Sequence, residues 1–136
     1  MANTFYSYSV YIEPSSNASI SGLKDNLDSF YQRPIITDKP KITLDDNQIT
    51  ITFDDDYSFY IYLSNEEHVN EEAVAIANDQ QADWNDIPFD KEKLKTCEKR
   101  FEVWGDDDFD MDYFNDSLFI IEQIENFTDV IIFQIQ

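Results

Sequence analysis

The sequence predicts one α+β domain over residues 1-136: an antiparallel β-meander with flanking helices and a C-terminal β-α-β unit. Three observations predict this class. Segments with alternating apolar and polar residues, as in half-buried strands, are separated by segments whose apolar residues recur every three or four positions, as in amphipathic helices. The length of 136 residues suits a single core, and no linker or repeat divides it. Aromatic residues make up 15% of the chain, whereas disordered acidic chains are poor in them.

The N-terminal part is predicted to contain one strand and one helix. Over residues 5–12, aromatic and aliphatic residues alternate with serines such as Ser9, which predicts a strand with one buried face. Over residues 20–31, apolar residues recur at helical spacing. Ser19 or Ser21 is placed to cap this helix.

Three strands over residues 41–44, 48–53 and 57–63 are predicted to form the meander. The links 45–47 and 54–56 contain only aspartate and asparagine. Both residue types tolerate left-handed turn geometry, so tight turns without glycine are expected there.

Two helices are predicted in the middle of the chain. Asn65 and the glutamates after it favour a helix N-terminus, which predicts a helix within residues 65–81. A short helix is predicted within residues 90–100, a segment that carries five of the nine basic residues.

The C-terminal unit is predicted from a strand at 101–105, a helix at 113–127 and a strand at 130–135. The final strand is mostly apolar at its start, which predicts burial of both its faces. The helix has a predicted buried stripe at helical spacing. This stripe consists of Phe114, Leu118, Ile121 and Ile124.

The net charge of −20 is the strongest functional constraint. Nucleic acid and anionic membranes need neutralising lysine and arginine, so both are excluded as natural partners. A basic protein is the natural complement, and opposite charges would speed the encounter. The single cysteine, Cys97, allows no intrachain disulfide, and no signal peptide or membrane-spanning segment is evident. We therefore expect a cytoplasmic location.

Residue types that carry enzyme chemistry are scarce. One cysteine and one histidine do not make a zinc site, and two glycines do not build a phosphate-binding loop. His68 is expected to be a solvated surface residue and Cys97 a buried structural one. We expect no enzyme activity and no cofactor, although suitably spaced carboxylate pairs stay open among 29 acidic residues.

Five aspartates fall within the eight residues 105–112. An EF-hand loop starting at Asp108 would need glycine and glutamate at positions occupied by Tyr113 and Phe119, so that motif fails. A calcium site of another type stays open. Asp110 or Asp112 is predicted to cap the following helix. The remaining aspartates, 106–108, are interpreted as part of an acidic surface.

The predicted partner-binding residues are acidic side chains and four aromatic ones. The aromatic residues have two interpretations: a second packed layer on the sheet, or interface anchors ringed by carboxylates. The acidic candidates are Asp54, Asp55, Asp56, Glu66, Glu67, Glu71, Asp106, Asp107 and Asp108. The aromatic candidates are Tyr60, Tyr62, Trp84 and Trp104.

The segments 101–136 and 48–63, in a small acidic α+β chain without catalytic motifs, resemble small bacterial immunity proteins of polymorphic or contact-dependent toxin systems. The resemblance implies tight binding to a cognate toxin, often a basic nuclease, whose active or substrate-binding surface is blocked. A DNA mimic that inhibits a DNA-binding protein, as in anti-restriction or anti-CRISPR systems, is the alternative, and a divalent-metal-binding module is another. The sequence does not predict the oligomeric state.

Overall fold

The computed structural model describes residues 5–78 and 90–135, which form one α+β domain around a six-stranded sheet. All five strand pairings are antiparallel, in the order β2-β3-β4-β5-β1-β6. The strands are β1 (Phe5–Ile12), β2 (Lys41–Asp45), β3 (Gln48–Thr52), β4 (Ser58–Ser64), β5 (Lys99–Gly105) and β6 (Val130–Ile135). The helices are α1 (Ile20–Tyr31), α2 (Glu67–Asn78), α3 (Lys91–Leu94) and α4 (Phe114–Glu125).

The topology confirms the predicted class. β2, β3 and β4 form the meander, and β5 pairs with β4. β5 and β6 both run antiparallel to β1, which lies between them, so they are parallel to each other. A parallel pair needs a crossover connection, and α4 supplies it. The C-terminal β-α-β unit therefore exists, with β1 inserted between its two strands.

Helices cover both faces of the sheet. α1 and α4 pack on one face, where Phe30 of α1 meets Phe119 of α4 at a centroid distance of 4.8 Å. α2 and α3 pack on the other face, against Tyr11 and Phe133. The main core lies under α1 and α4, and its fully buried members include Val10, Leu23, Leu27, Ile49, Ile51, Phe59, Ile61, Phe101, Ile120 and Ile124.

Local signals placed several elements correctly. Ser19 is the N-cap of α1, and its hydroxyl accepts a hydrogen bond from the Gly22 N–H at 3.0 Å. Asp46 and Asp56 adopt positive φ angles of 52° and 68° in the two meander turns. Aspartate tolerates this geometry, so these turns close without glycine, as predicted.

The prediction that β1 has one buried face is wrong. Ser9 is only 8% exposed and Tyr11 only 2%, although both point away from the main core. β1 lies inside the sheet, and α2 and α3 cover its second face. A serine in a central strand is buried when a helix covers that face of the sheet. The alternation of apolar and polar residues along the strand does not reveal such a helix.

The prediction that the final strand is buried on both faces is confirmed in part, because Val130 and Ile132 pack against the main core and Ile131 and Phe133 pack on the other face. β6 stands last in the order of the described strands, next to β1. Phe133 is buried against Tyr11, whereas residues 130–132 are half-buried. An apolar run is compatible with an edge position when helices shield both faces of the strand.

The buried stripe of α4 is shifted by one position in the first turns of the helix, whereas Ile124 is buried as predicted. Phe114 and Leu118 are 41% and 40% exposed. The buried residues of the helix are Ser117, Ile120 and Ile124. Small Ser117 fits where the helix approaches the sheet, and its hydroxyl donates to the Phe114 carbonyl at 2.6 Å. A polar residue that satisfies itself locally can therefore occupy a core position.

Candidate functional site

The predicted acidic residues lie in two separate places. The β3–β4 turn at 54–56 and the loop at 106–108 meet at one end of the sheet, because Asp106 N–H donates to the Ser58 carbonyl at 3.0 Å. Glu66, Glu67 and Glu71 lie beyond the other end of β4. The seven residues of β4 separate the two groups by roughly 20 Å. These candidates therefore do not form one surface.

Asp108 is not an exposed surface carboxylate, contrary to the interpretation made from the sequence. It is 6% exposed and accepts hydrogen bonds from the Tyr6 hydroxyl and from two backbone N–H groups, those of Asp112 at 3.0 Å and Tyr113 at 2.8 Å. Its carboxylate thus organises the turn that leads into α4. The prediction that Asp110 or Asp112 caps α4 is wrong. The N-cap residue is Tyr113, and its side chain makes no capping hydrogen bond.

Asp106 is also engaged internally, whereas Asp107 is exposed. Asp106 Oδ2 accepts from the Ser58 N–H at 3.0 Å, and its carbonyl accepts from the Tyr57 hydroxyl at 2.8 Å. Of these three consecutive aspartates, only Asp107 presents a carboxylate fully to solvent. Its two neighbours join the loop to the sheet and to α4.

Two stacked tyrosines join the β3–β4 turn to the loop before α4. The rings of Tyr57 and Tyr113 are nearly parallel, with centroids 4.1 Å apart. The Tyr113 hydroxyl donates to Asp55 Oδ1, and this bond lowers the pKa of the Asp55 carboxyl group. Burial, followed by the bond to Asp55, raises the pKa of Tyr113. The hydrogen bond thereby fixes the position of the Asp55 carboxylate beside the stack.

A groove of about 540 Å³ opens beside this stack, between residues 35–39, the β3–β4 turn and the N-terminal half of α4. We call it the acidic groove. Its walls are apolar and aromatic, formed by Ile35, Ile36, Phe53, Tyr113 and Phe119. Its carboxylates are Asp38, Asp54, Asp55, Asp112 and Asp116.

The charge in the groove is poorly compensated. Lys39 also lines it, but its Nζ donates to the carbonyls of Tyr31 and Arg33, each at 2.9 Å, at the C-terminus of α1. Asp116 accepts from the Tyr31 hydroxyl at 2.8 Å. Burial raises the pKa of the Asp116 carboxyl group, nearby Asp38 raises it further, and the Tyr31 bond acts in the opposite direction. A cation in the groove would relieve this unfavourable charge.

Three of the aromatic candidates, Tyr60, Tyr62 and Trp104, lie on the opposite face of the sheet from the groove. Tyr60 and Tyr62 alternate with core residues along β4, and Trp104 lies opposite Tyr60 on β5. The rings of Tyr60 and Trp104 stack with centroids 5.5 Å apart. All three side chains are half-buried. The fourth candidate, Trp84, lies outside the described residues.

The glutamates of α2 lie on that same side of the sheet. Glu66, Glu67 and Glu71 are exposed. Their neighbour Glu72 pairs with Arg100, which also donates to Glu102 Oε2 at 2.8 Å and to the Tyr11 hydroxyl at 3.1 Å. Arg100 thus neutralises two acids locally, Glu66 just before α2 lies 3.4 Å from His68 Nδ1, and Glu67 and Glu71 are exposed to solvent.

The structure gives little support to reactive chemistry at the other candidates. Cys97 is fully buried, and burial raises the pKa of its thiol to about 12. His68 is exposed, as predicted. Within residues 5–78 and 90–135, no three histidine, cysteine or acidic side chains are grouped so as to hold a metal ion. In the same residues, no helix is both long and apolar enough to cross a bilayer.

No protein-family model matches this chain, no curated protein is significantly similar to it, and no solved structure matches it significantly. The resemblance to immunity proteins therefore stays a prediction. Function has to be inferred from the groove itself and from the charges around it. Sequence reasoning identified Asp54 and Asp55 there but missed the segment 35–39, Asp116 and Tyr113. No motif or spacing in the sequence marks these residues as part of a site.

Proposed function

We propose that this protein binds a basic protein and inhibits it, in the manner of an immunity protein that neutralises a cognate toxin. The observation that carries the proposal is the acidic groove, in which five carboxylates surround apolar walls. Exposed Asp56 and Asp107 add negative charge nearby, since Asp56 follows Asp55 in the β3–β4 turn and Asp107 follows Asp106, whose N–H donates to the Ser58 carbonyl. Such a surface complements a basic substrate-binding site, such as that of a nuclease.

The proposed mechanism is electrostatic attraction followed by occlusion. The net charge of −20 raises the rate of encounter with a basic protein, most strongly at low ionic strength. Carboxylates at the groove then occupy positions that the partner offers to phosphate groups. Apolar contacts in the groove slow dissociation, because affinity differences arise mainly in the dissociation rate. The inhibitor needs no catalytic residue and no cofactor, and it acts in the cytoplasm where the toxin would do damage.

The two alternatives receive less support from the geometry. A DNA mimic needs carboxylates spaced along an extended surface. Asp106 and Asp108 are engaged in internal hydrogen bonds, and the glutamates of α2 lie roughly 20 Å away by the length of β4. A divalent-metal module centred on Asp108 conflicts with the three donors that already occupy its carboxylate.

The test is capture of the partner from the native cells, followed by an activity assay with the purified partner. Saturating amounts of the protein should abolish the partner's activity. The double variant Asp54→Lys/Asp107→Lys should slow association at least tenfold at low salt, and the difference should shrink at high salt. The matched control Asp45→Lys/Glu71→Lys makes the same charge change at exposed positions away from the groove and should slow it less.

Two results would contradict the proposal. One is a saturated partner that keeps its full activity. The other is a partner with an acidic or neutral contact surface, whose association rate does not depend on salt.

A further inference from the structure

We infer that the acidic groove seats an aliphatic side chain of the partner, flanked on the same segment by arginine or lysine. This inference rests on the proposed function for its biological meaning. It specifies which surface makes the central contact and which side chains the partner presents there. The groove itself can be tested without the natural partner.

The apolar walls argue for an aliphatic occupant. Ile35 is 81% exposed at the lip of the groove, an unusual position for an isoleucine. Ile36 and Phe119 are half-buried, and Phe53 lies below them at 5% exposure. An aliphatic side chain placed between Ile35 and Phe119 would remove apolar surface from water on both sides.

Charge complementarity sets the rest of the occupant's chemistry. Five aspartates line the groove, and the ammonium group of Lys39, which also lines it, is held by two backbone carbonyls. Arginine pairs well with carboxylates because its guanidinium group can donate two parallel hydrogen bonds. A second copy of this chain would bring another −20 of charge and is disfavoured as the occupant.

The groove is also organised before any partner binds. Tyr31 orients Asp116, Tyr113 orients Asp55, and the stack of Tyr113 on Tyr57 fixes the wall between them. A preformed site loses less conformational entropy on binding. The volume of about 540 Å³ lies within the ordinary range for binding sites and accommodates a few side chains.

The experiment uses the blocked peptide acetyl-Arg-Leu-Arg-amide as the probe, titrated into isotopically labelled full-length protein and followed by NMR. Saturable shift changes are expected at the backbone amides of groove residues such as Thr37, Asp54 and Asn115. Replacing the peptide's leucine by serine should weaken binding at least threefold. Replacing both arginines by glutamate should abolish it.

Variants of the protein test each wall of the groove. Asp38→Asn/Asp54→Asn should raise the dissociation constant at least tenfold, and Ile35→Ser at least threefold. All three side chains are exposed, so the fold should be retained. The matched controls Asp45→Asn/Glu71→Gln and Leu44→Ser should leave the dissociation constant within twofold.

The inference is overturned if the peptide causes no saturable shifts, if the shifts fall on α2 or around Trp104, or if the controls weaken binding as much as the groove variants. Those outcomes leave the proposed function standing, provided that a basic partner is still inhibited. Conversely, the peptide could bind specifically in the groove while the partner protein keeps its activity when saturated with this protein. That result would reject the inhibitor function but support the groove as a binding site.

Discussion

Tyr113 stacks on Tyr57 with an angle of 5° between the ring planes, and its hydroxyl reaches across to Asp55. One side chain thus connects the start of α4 with the β3–β4 turn and forms a wall of the acidic groove. The stack explains how two of the three segments that bound the groove, the β3–β4 turn and the start of α4, are held together although they lie more than fifty residues apart in the chain.

Substituting Tyr113→Phe should keep the stack and remove the hydrogen bond to Asp55. The bond lowers the pKa of Asp55, so the pKa of that carboxyl group should rise toward the ordinary value of about 3.9. A carboxyl group whose pKa is lower in the native than in the unfolded state stabilises the native state at pH values above the unfolded pKa. This stabilisation is lost as the pH falls through the native pKa. The variant should therefore lose less stability than the wild type between pH 4 and pH 2.

Carbon-detected NMR titration of the Asp55 carboxyl group measures the first effect, and denaturation at several pH values the second. Tyr6→Phe is a useful comparison because Tyr6 donates to Asp108 instead. If the pKa of Asp55 is the same in Tyr113→Phe and the wild type, the hydrogen bond is not formed in solution.

Asp108→Ala should be strongly destabilising, in contrast to the exposed neighbour Asp107→Ala. Removing the Asp108 carboxylate deprives the N–H groups of Asp112 and Tyr113 and the hydroxyl of Tyr6 of their acceptor. We expect a loss of about 2–4 kcal/mol in the free energy of unfolding, against less than about 0.5 kcal/mol for Asp107→Ala. Urea denaturation of both variants provides the measurement, and equal effects would refute a structural role for Asp108.

Asp116→Asn should increase stability at neutral pH. Burial raises the native pKa of this carboxyl group, so the native state binds the proton more tightly than the unfolded state. The stability from this group is present below the unfolded pKa of about 3.9 and is lost as the pH rises through the native pKa. Asparagine avoids that loss, and its carbonyl oxygen can still accept from Tyr31.

The measurement is the free energy of unfolding of wild type and Asp116→Asn at pH 7 and at pH 3.5. The advantage of the variant should be present at pH 7 and shrink at the lower pH. Asp107→Asn, at an exposed position, controls for the general benefit of removing one negative charge. An advantage that grows as the pH falls would show that the sign of the shift is wrong.

Arg100→Met should destabilise the side of the sheet that α2 covers. The Arg100 side chain is 12% exposed and pairs with Glu72 and Glu102. Its loss leaves both acids without their cation, but Glu72 is 51% exposed and stays partly solvated. We therefore expect a cost of about 2–4 kcal/mol, below that of a fully buried pair.

Chemical denaturation of Arg100→Met is compared with that of Lys99→Met, which removes the same charge from an exposed neighbour. The control should change the free energy of unfolding by less than about 0.5 kcal/mol. If Arg100→Met leaves the free energy of unfolding unchanged, packing of the methionine against Tyr11 offsets the lost ion pairs.

Much of the fold is encoded in local patterns. Apolar periodicity, the Ser19 cap and the aspartate turns predicted the positions of the elements, because propensity and capping act over a few residues. The one-residue shift of the α4 stripe was not predictable in this way. Phe114 is more apolar than Ser117, yet Ser117 is buried, and its hydroxyl is satisfied by the Phe114 carbonyl.

Composition and periodicity alone settle that the chain is strongly acidic, aromatic-rich and built as a meander with a crossover helix. Which acids remain available to a partner depends on contacts between distant segments. Asp108 accepts a hydrogen bond from Tyr6, 102 residues away in the chain, and is therefore not available to a partner. Asp116 is oriented by a hydrogen bond from Tyr31, 85 residues away. The acidic groove arises because the segment 35–39 after α1, the β3–β4 turn and the start of α4 converge at one end of the sheet. Long-range packing of this kind leaves no trace in the spacing of residues along the chain.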